Sequence, residues 1–152
     1  MIKYVLLLLL LAPASLPAAE CSVGDYDGLV AAGKAANAER DWVKSAEAYQ
    51  RILGDCSSMV VGADLARAYD ALSFAQLMQG DYSRALVGAE RCLAADPQYS
   101  ACMLTAAKAN EAIGDRGRAL EYLRAILAVE PADDYAAAVA IAARSILKQL
   151  EK

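Results

Sequence analysis

The chain has no histidine, and that absence removes more chemistry than any other feature of its 152 residues. A nucleophile activated by an imidazole, a His-dependent general base and a metal site built on imidazole nitrogens are all excluded. The four cysteines form no Cys-x-x-Cys pair, so a zinc site would have to be all-thiolate with irregular spacing, and neither metal nor cofactor is expected. Glycine and proline number only nine and four beside 58% apolar residues, which describes a helical globular chain and not a disordered one. Lys and Arg total 15 against 19 Asp and Glu, so nothing suits a phosphate backbone, and no nucleic-acid partner is expected. The apolar run from Tyr4 to Leu11 is far short of the roughly twenty residues that a spanning helix needs.

That run lies in "MIKYVLLLLLLAPASLPAAE", where a basic start at Lys3 precedes apolar, then small and proline residues. The pattern is that of a secretory signal peptide over residues 1–19; Ala12-Pro13-Ala14 fits the small-x-small rule for a cut after Ala14, and cuts after Ala18 or Ala19 are the alternatives. An uncleaved N-terminal anchor is the alternative. Glu20 stands where a lipoprotein would need a small residue before Cys21, so lipid anchoring is not expected. Residues 20–152 then form a single domain with no membrane span. Export would place the four cysteines in an oxidising compartment, where an even number can pair in three ways.

The strongest internal signal is a sentence written twice. "GDYSRALVGAERCLAADP", Gly80 to Pro97, returns as "GDRGRALEYLRAILAVEP", Gly114 to Pro131, and the glycines and prolines are both 34 residues apart. A weaker version stands earlier as "RDWVKSAEAYQRILGDCS", Arg40 to Ser57, at an offset of 40. A fixed period of this length, made of two helical segments, is the mark of a solenoid.

Each unit reads as a helical hairpin. In the second, Asp64 to Gln79 carries Leu65, Tyr69, Leu72 and Gln76 on one stripe, and Tyr82 to Ala95 follows the Gly80-Asp81 break. Glycine closes a helix in the left-handed conformation without steric cost, and the following aspartate caps the next helix. The third unit repeats this over Ser100 to Ile113 and Arg118 to Val129, with Met103, Ala106, Ala107, Leu123 and Ile126 inward. In the first, Asp25 to Glu39 puts Leu29, Ala32, Gly33 and Ala36 inward, and Trp42 to Leu53 adds Tyr49, Ile52 and Leu53; its break, Arg40-Asp41, lacks the glycine. Six extra residues near Val60 to Leu65 suit either a longer helix or a bulged loop. The final stretch, residues 134–152, places Tyr135, Val139, Ala142, Ile146 and Leu150 on one stripe, as a helix capping the last hairpin would.

This pattern resembles the tetratricopeptide repeat family, whose units pair antiparallel helices with small residues at their crossing, a Gly-Asp-Tyr-like turn and a closing proline. The likeness covers units at about 26–59, 66–99 and 100–133. It implies an all-α solenoid of three tetratricopeptide-like hairpins with a C-terminal capping helix. Departures are Leu29, Tyr69 and Met103 where a large aromatic is frequent, Ala36, Gln76 and Asn110 at a later aromatic position, and Ser57 in place of proline.

On that architecture, Cys21 ahead of the first helix lies beside Cys56 after its mate, and Cys92 and Cys102 flank Pro97 on helices that pack together. The expected disulfides are therefore Cys21 with Cys56 and Cys92 with Cys102. A bond from Cys56 to Cys92 or Cys102 stays open, as do buried free thiols, for which Cys92 is the best candidate. The resemblance also implies a concave surface lined by the first helix of each unit. Its groove-facing places fall on Val30, Lys34 and Asn37, then Arg67, Asp70, Phe74, Leu77 and Met78, then Leu104, Lys108 and Glu111. Phe74, Leu77 and Met78 suit an apolar partner surface, unless the terminal helix folds back and makes them core. The carboxylate clamp of some family members is not reproduced by Val30 with Lys34.

The expected function is recognition of a peptide or another protein, in an exported adaptor similar to small periplasmic proteins that help assemble cell-envelope complexes. A structural subunit that docks through its capping helix or convex face is the alternative. An enzyme is a minor one, since the dense acidic spots, Asp25/Asp27 and Asp133-Asp134, read as charges at helix N-termini.

Overall fold

The structure, a computed structural model, describes residues 21–152, and the signal peptide expected over residues 1–19 lies outside the described residues. The described chain is helical, with no strand among the described residues. Three hairpins follow one another as α1 (Val23–Glu39) with α2 (Trp42–Asp55), α3 (Ala63–Met78) with α4 (Tyr82–Ala95), and α5 (Ser100–Ala112) with α6 (Arg116–Ala128); α7 (Asp134–Leu150) closes the series.

One device makes all three hairpin turns. The amides of Asp41, Asp81 and Asp115 donate back to the carbonyls of Ala36, Gln76 and Asn110 at 2.8, 3.0 and 2.8 Å. These bonds answer acceptors that the end of a helix leaves open. The same aspartates turn their carboxylates forward and accept from the amides of Lys44, Arg84 and Arg118 at 3.1, 3.2 and 3.0 Å. One residue thus ends one helix and starts the next, and each such cap contributes about 1 kcal/mol. The residue before it must be left-handed, which Gly80 and Gly114 adopt at φ 80° and 89°. In the first hairpin that place falls to Arg40, at φ 58°. The missing glycine did not remove the turn; it left strain in it.

The paired helices approach closely because the residues at their crossings carry almost no bulk. A Cβ added to Gly33 would lie 2.7 Å from the Tyr49 ring, and one added to Gly88 would lie 2.9 Å from Ser73 Cβ. Ser45, Ala85 and Ala119, one in each second helix, are fully buried. The inward stripes follow the sequence periodicity, with the exception that Ala32 faces solvent. Its place on the inner side is taken by Gly33 and Ala36, which the close crossing covers.

The core is a succession of clusters and not one centre. Tyr49, Ile52, Leu72 and Val60 join the first hairpin to α3. Ala66 and the two half-cystines Cys92 and Cys102, flanked by Tyr69, Leu93 and Tyr99, join the second hairpin to α5. Met103, Leu123, Ile126, Val139 and Ala143 join the third to α7. The extra residues of the first connection form a short 3-10 turn, Ser57–Met59, after which Val60 plugs the first cluster. Disulfides link Cys21 to Cys56, with Cα atoms 5.0 Å apart, and Cys92 to Cys102, at 6.3 Å. The first ties the start of α1 to the end of α2; the second sits at the middle of the middle cluster.

Replacing Arg40 by glycine should relieve the left-handed strain. We expect Arg40→Gly to raise unfolding stability by roughly 0.5–1 kcal/mol in urea denaturation, the sum of a lost Cβ clash and a more flexible unfolded chain. A loss of stability would show that the left-handed arginine is not strained.

Candidate functional site

The packing that builds the stack leaves one side of every first helix free. α1, α3, α5 and α7 turn that side towards a common hollow of about 230 Å³. Its apolar lining comes from Ala71, Phe74 and Leu77 of α3, Ala101 and Leu104 of α5 and Val139 of α7; its polar lining comes from Asn37, Asp70, Thr105, Lys108 and Tyr135. Of the residues assigned to a groove from the sequence, Asn37, Asp70, Phe74, Leu77, Leu104 and Lys108 meet here.

The others lie elsewhere. Val30, Lys34 and Arg67 line a separate hollow of about 170 Å³ with Tyr26, Tyr49 and Ile52. Arg67 is held there by Asp64 at 2.7 Å, on its own helix. Met78 is the last residue of α3 and is 47% exposed, and neither it nor Glu111 lines either hollow. Ala71, Ala101, Thr105, Tyr135 and Val139 are lining residues that the sequence did not mark. The four-residue spacing of Tyr135 and Val139 marks one stripe of a capping helix, and spacing does not show that the stripe also borders a groove.

The terminal helix does not fill the hollow. Val139 and Ala143 bury against the third hairpin, while Tyr135, 60% exposed, forms an end wall. Phe74 stays 38% exposed although its ring meets Trp42 edge-on, with centroids 5.6 Å apart. That contact gives Phe74 a structural role beside any recognition role, because it fastens α3 to the start of α2.

The polar groups differ in how they are satisfied. Asn37 accepts a hydrogen bond from the buried Ser45 hydroxyl at 2.6 Å, which leaves its amide N–H groups free to face the hollow. Lys108 is exposed and makes no ion pair among the described residues. Asp70 is largely buried, and that burial pushes its carboxyl up to about 6. Burial, reinforced by the Asp70 charge, pushes the Tyr99 hydroxyl up to about 12. Elsewhere the acidic residues behave as caps: Asp25 closes a capping box with Ser22, whose hydrogen bonds lower its carboxyl, and Asp133 accepts from the Ala136 amide at 2.7 Å. No group of three or more potential metal ligands occurs among the described residues, and no helix among them is long and apolar enough to cross a membrane.

The sequence profile described as tetratricopeptide repeat matches residues 76–144. No curated protein matches the chain in sequence. Among solved structures, PcrH in complex with the chaperone binding region of PopD superposes with a TM-score of 0.73 at 21% identity, covering 86% of this chain and 93% of that one. The Sgt2 domain from Aspergillus fumigatus gives 0.65 at 19% identity, over 90% of this chain and 87% of that one. The second such domain of human RPAP3, in complex with an HSP70 peptide, gives 0.64 at 19%, over 84% and 95%.

Asp70 makes the site visible in stability. Its folded pKa is raised from 3.8, so protonation favours the fold: this contribution is complete below about pH 4 and is lost as pH rises through about 6. Asp70→Asn should therefore be more stable than the parent at pH 7.5, by up to about 3 kcal/mol, with no advantage at pH 4. Urea denaturation at the two pH values measures this, and a pH-independent difference would contradict it.

Proposed function

We propose that this chain, which belongs to the tetratricopeptide repeat family, is an exported interaction module that binds a peptide or partner protein in the hollow between α1, α3, α5 and α7. The observation that carries the reading is the convergence of six sequence-assigned residues from three helices on one concave surface, apolar along Phe74, Leu77 and Leu104 and polar at Asn37, Asp70 and Lys108. Concavity with an apolar lining and a few placed polar groups is what a recognition site for a peptide requires. The PcrH and RPAP3 structures were each determined with a bound segment of another protein, which supports a peptide as the occupant here.

Export through residues 1–19 is part of the same proposal, and a periplasmic setting in the assembly of a cell-envelope complex is its most specific form. Its support is the signal-like sequence together with two disulfides, since such bonds persist in oxidising compartments. A second reading, docking through the outer surface, is favoured by one feature. On the opposite side of α3 lies a hollow of about 270 Å³ beside Val87, 50% exposed, into whose lining the buried Gln76 brings a carbonyl with no hydrogen-bond partner.

The two readings separate by substitution. Leu104→Glu places a charge in the inner hollow and Val87→Glu places one outside, and neither touches the Trp42–Phe74 contact. We expect the first to abolish recovery of partners from a cell-envelope extract and the second to leave it intact, with circular dichroism confirming both folds. Undiminished recovery by Leu104→Glu would overturn the groove reading, and selective loss with Val87→Glu would establish the outer one. For export, intact-mass analysis of the protein from a periplasmic fraction should show a chain beginning between Ser15 and Glu20; a full-length mass in the membrane fraction would contradict cleavage.

A further inference from the structure

We propose that the groove recognises its peptide through a cationic side chain, lysine or arginine, received by the Asp70 carboxylate and flanked on the peptide by apolar residues. The proposal rests on the groove reading and specifies the chemistry of its occupant.

Asp70 lies on α3 and lines the hollow. Its nearest polar contact is Cys102 Sγ, 3.6 Å from Oδ1. That sulfur is bonded to Cys92 and carries no proton, so it donates nothing. Among the described residues no N–H or O–H donates to the carboxylate. Arg67, one turn earlier on α3, is engaged by Asp64 and lines the other hollow. Lys108 of α5 lines the same hollow without forming an ion pair. Asn37 of α1 offers its oxygen to Ser45. Tyr49 of α2, Tyr99 ahead of α5 and Tyr135 of α7 lie near enough to feel the charge, and burial raises all three hydroxyls.

A carboxylate held half-buried in a hollow is short of donors, and once ionised it is best answered by a cation. Other buried polar side chains have internal partners: the Ser45 hydroxyl donates to Asn37 and the Asn110 amide donates to the Ala106 carbonyl. Asp70 lines the hollow and receives no N–H or O–H from the described residues. A metal is a poor answer, because the described residues bring no cluster of ligands together. An acidic segment would set like charge against Asp70. A lysine or arginine side chain answers it, threading its methylenes past Phe74, Leu77 and Leu104 and ending in a charge. Those apolar walls favour apolar residues on either side of it.

The test uses the disulfide-bonded protein without residues 1–19 and short capped peptides with leucines around a central lysine, norleucine or glutamate, followed by calorimetry. We expect the lysine peptide to bind about tenfold or more tightly than the norleucine peptide, the size typical of a desolvated charge pair. In Asp70→Asn the ratio should fall to about one while the norleucine peptide binds as before, which also shows that the variant is folded. In a chain without histidine, the lysine preference should also fade as pH drops through about 6. Equal binding of lysine and norleucine peptides, a preference kept by Asp70→Asn, or tightest binding of the glutamate peptide would overturn the cation and leave the groove standing. Binding of none of the peptides would overturn the groove reading itself.

Discussion

The structure depends on how closely its paired helices can approach. At the crossings stand Gly33, Gly88, Ser45, Ala85 and Ala119, and at two of them even a methyl group would collide with a neighbour. Small residues bring backbones together but bury little apolar area each, so no single contact holds much. Stability is instead distributed along the chain: three small clusters in series, four aspartate caps and two covalent links. The middle cluster shows the economy of the arrangement. Where a larger domain would place leucines or phenylalanines, this one places a disulfide between Ala66, Tyr69 and Tyr99. A stack assembled this way needs only one side of each first helix for its core, and the unused sides become the groove.

Much of this was legible in the amino-acid order. The 34-residue spacing, the Gly-Asp breaks and the alternation of small and large residues determine hairpins and their turns through local chemistry, and local chemistry is what a sequence displays. The departures have local causes too. Arg40 takes a glycine's place because the hydrogen bonds to Ala36 and the Asp41 cap still favour the turn. Val60 becomes core because a 3-10 turn brings it back over Tyr49 and Ile52.

The groove was less legible. Arg67 sits at a groove-facing place, but a long charged side chain settles on whatever partner is near, here Asp64, and spacing cannot reveal that choice. Met78 shares a helix face with Phe74, yet no α5 residue that follows Lys108 in the chain lines the hollow, so no opposing wall reaches it. Tyr135 and Val139 belong to a stripe that splits at the end of the stack. Val139 is covered by the third hairpin, while Tyr135, in the first turn of α7, stays 60% exposed and borders the hollow.

Asp70 concentrates the tension between folding and recognition. A small solenoid with clusters in series has little reserve, and an unpaired carboxylate beside its central disulfide draws on it. The same proton controls both properties in opposite directions. Below about pH 6 the group is neutral, the stack is relieved and the groove loses its negative charge; above it, that charge returns and the stack is weakened. An occupant that supplies a cation removes the conflict, because it satisfies the carboxylate without neutralising it. Binding would then stabilise the fold by more than mass action on the apolar walls alone provides, since it also lifts a penalty that the empty groove carries. Asp70 lies where α1, α3, α5 and α7 converge and no N–H or O–H of the described residues donates to it, so its donors come from outside the fold.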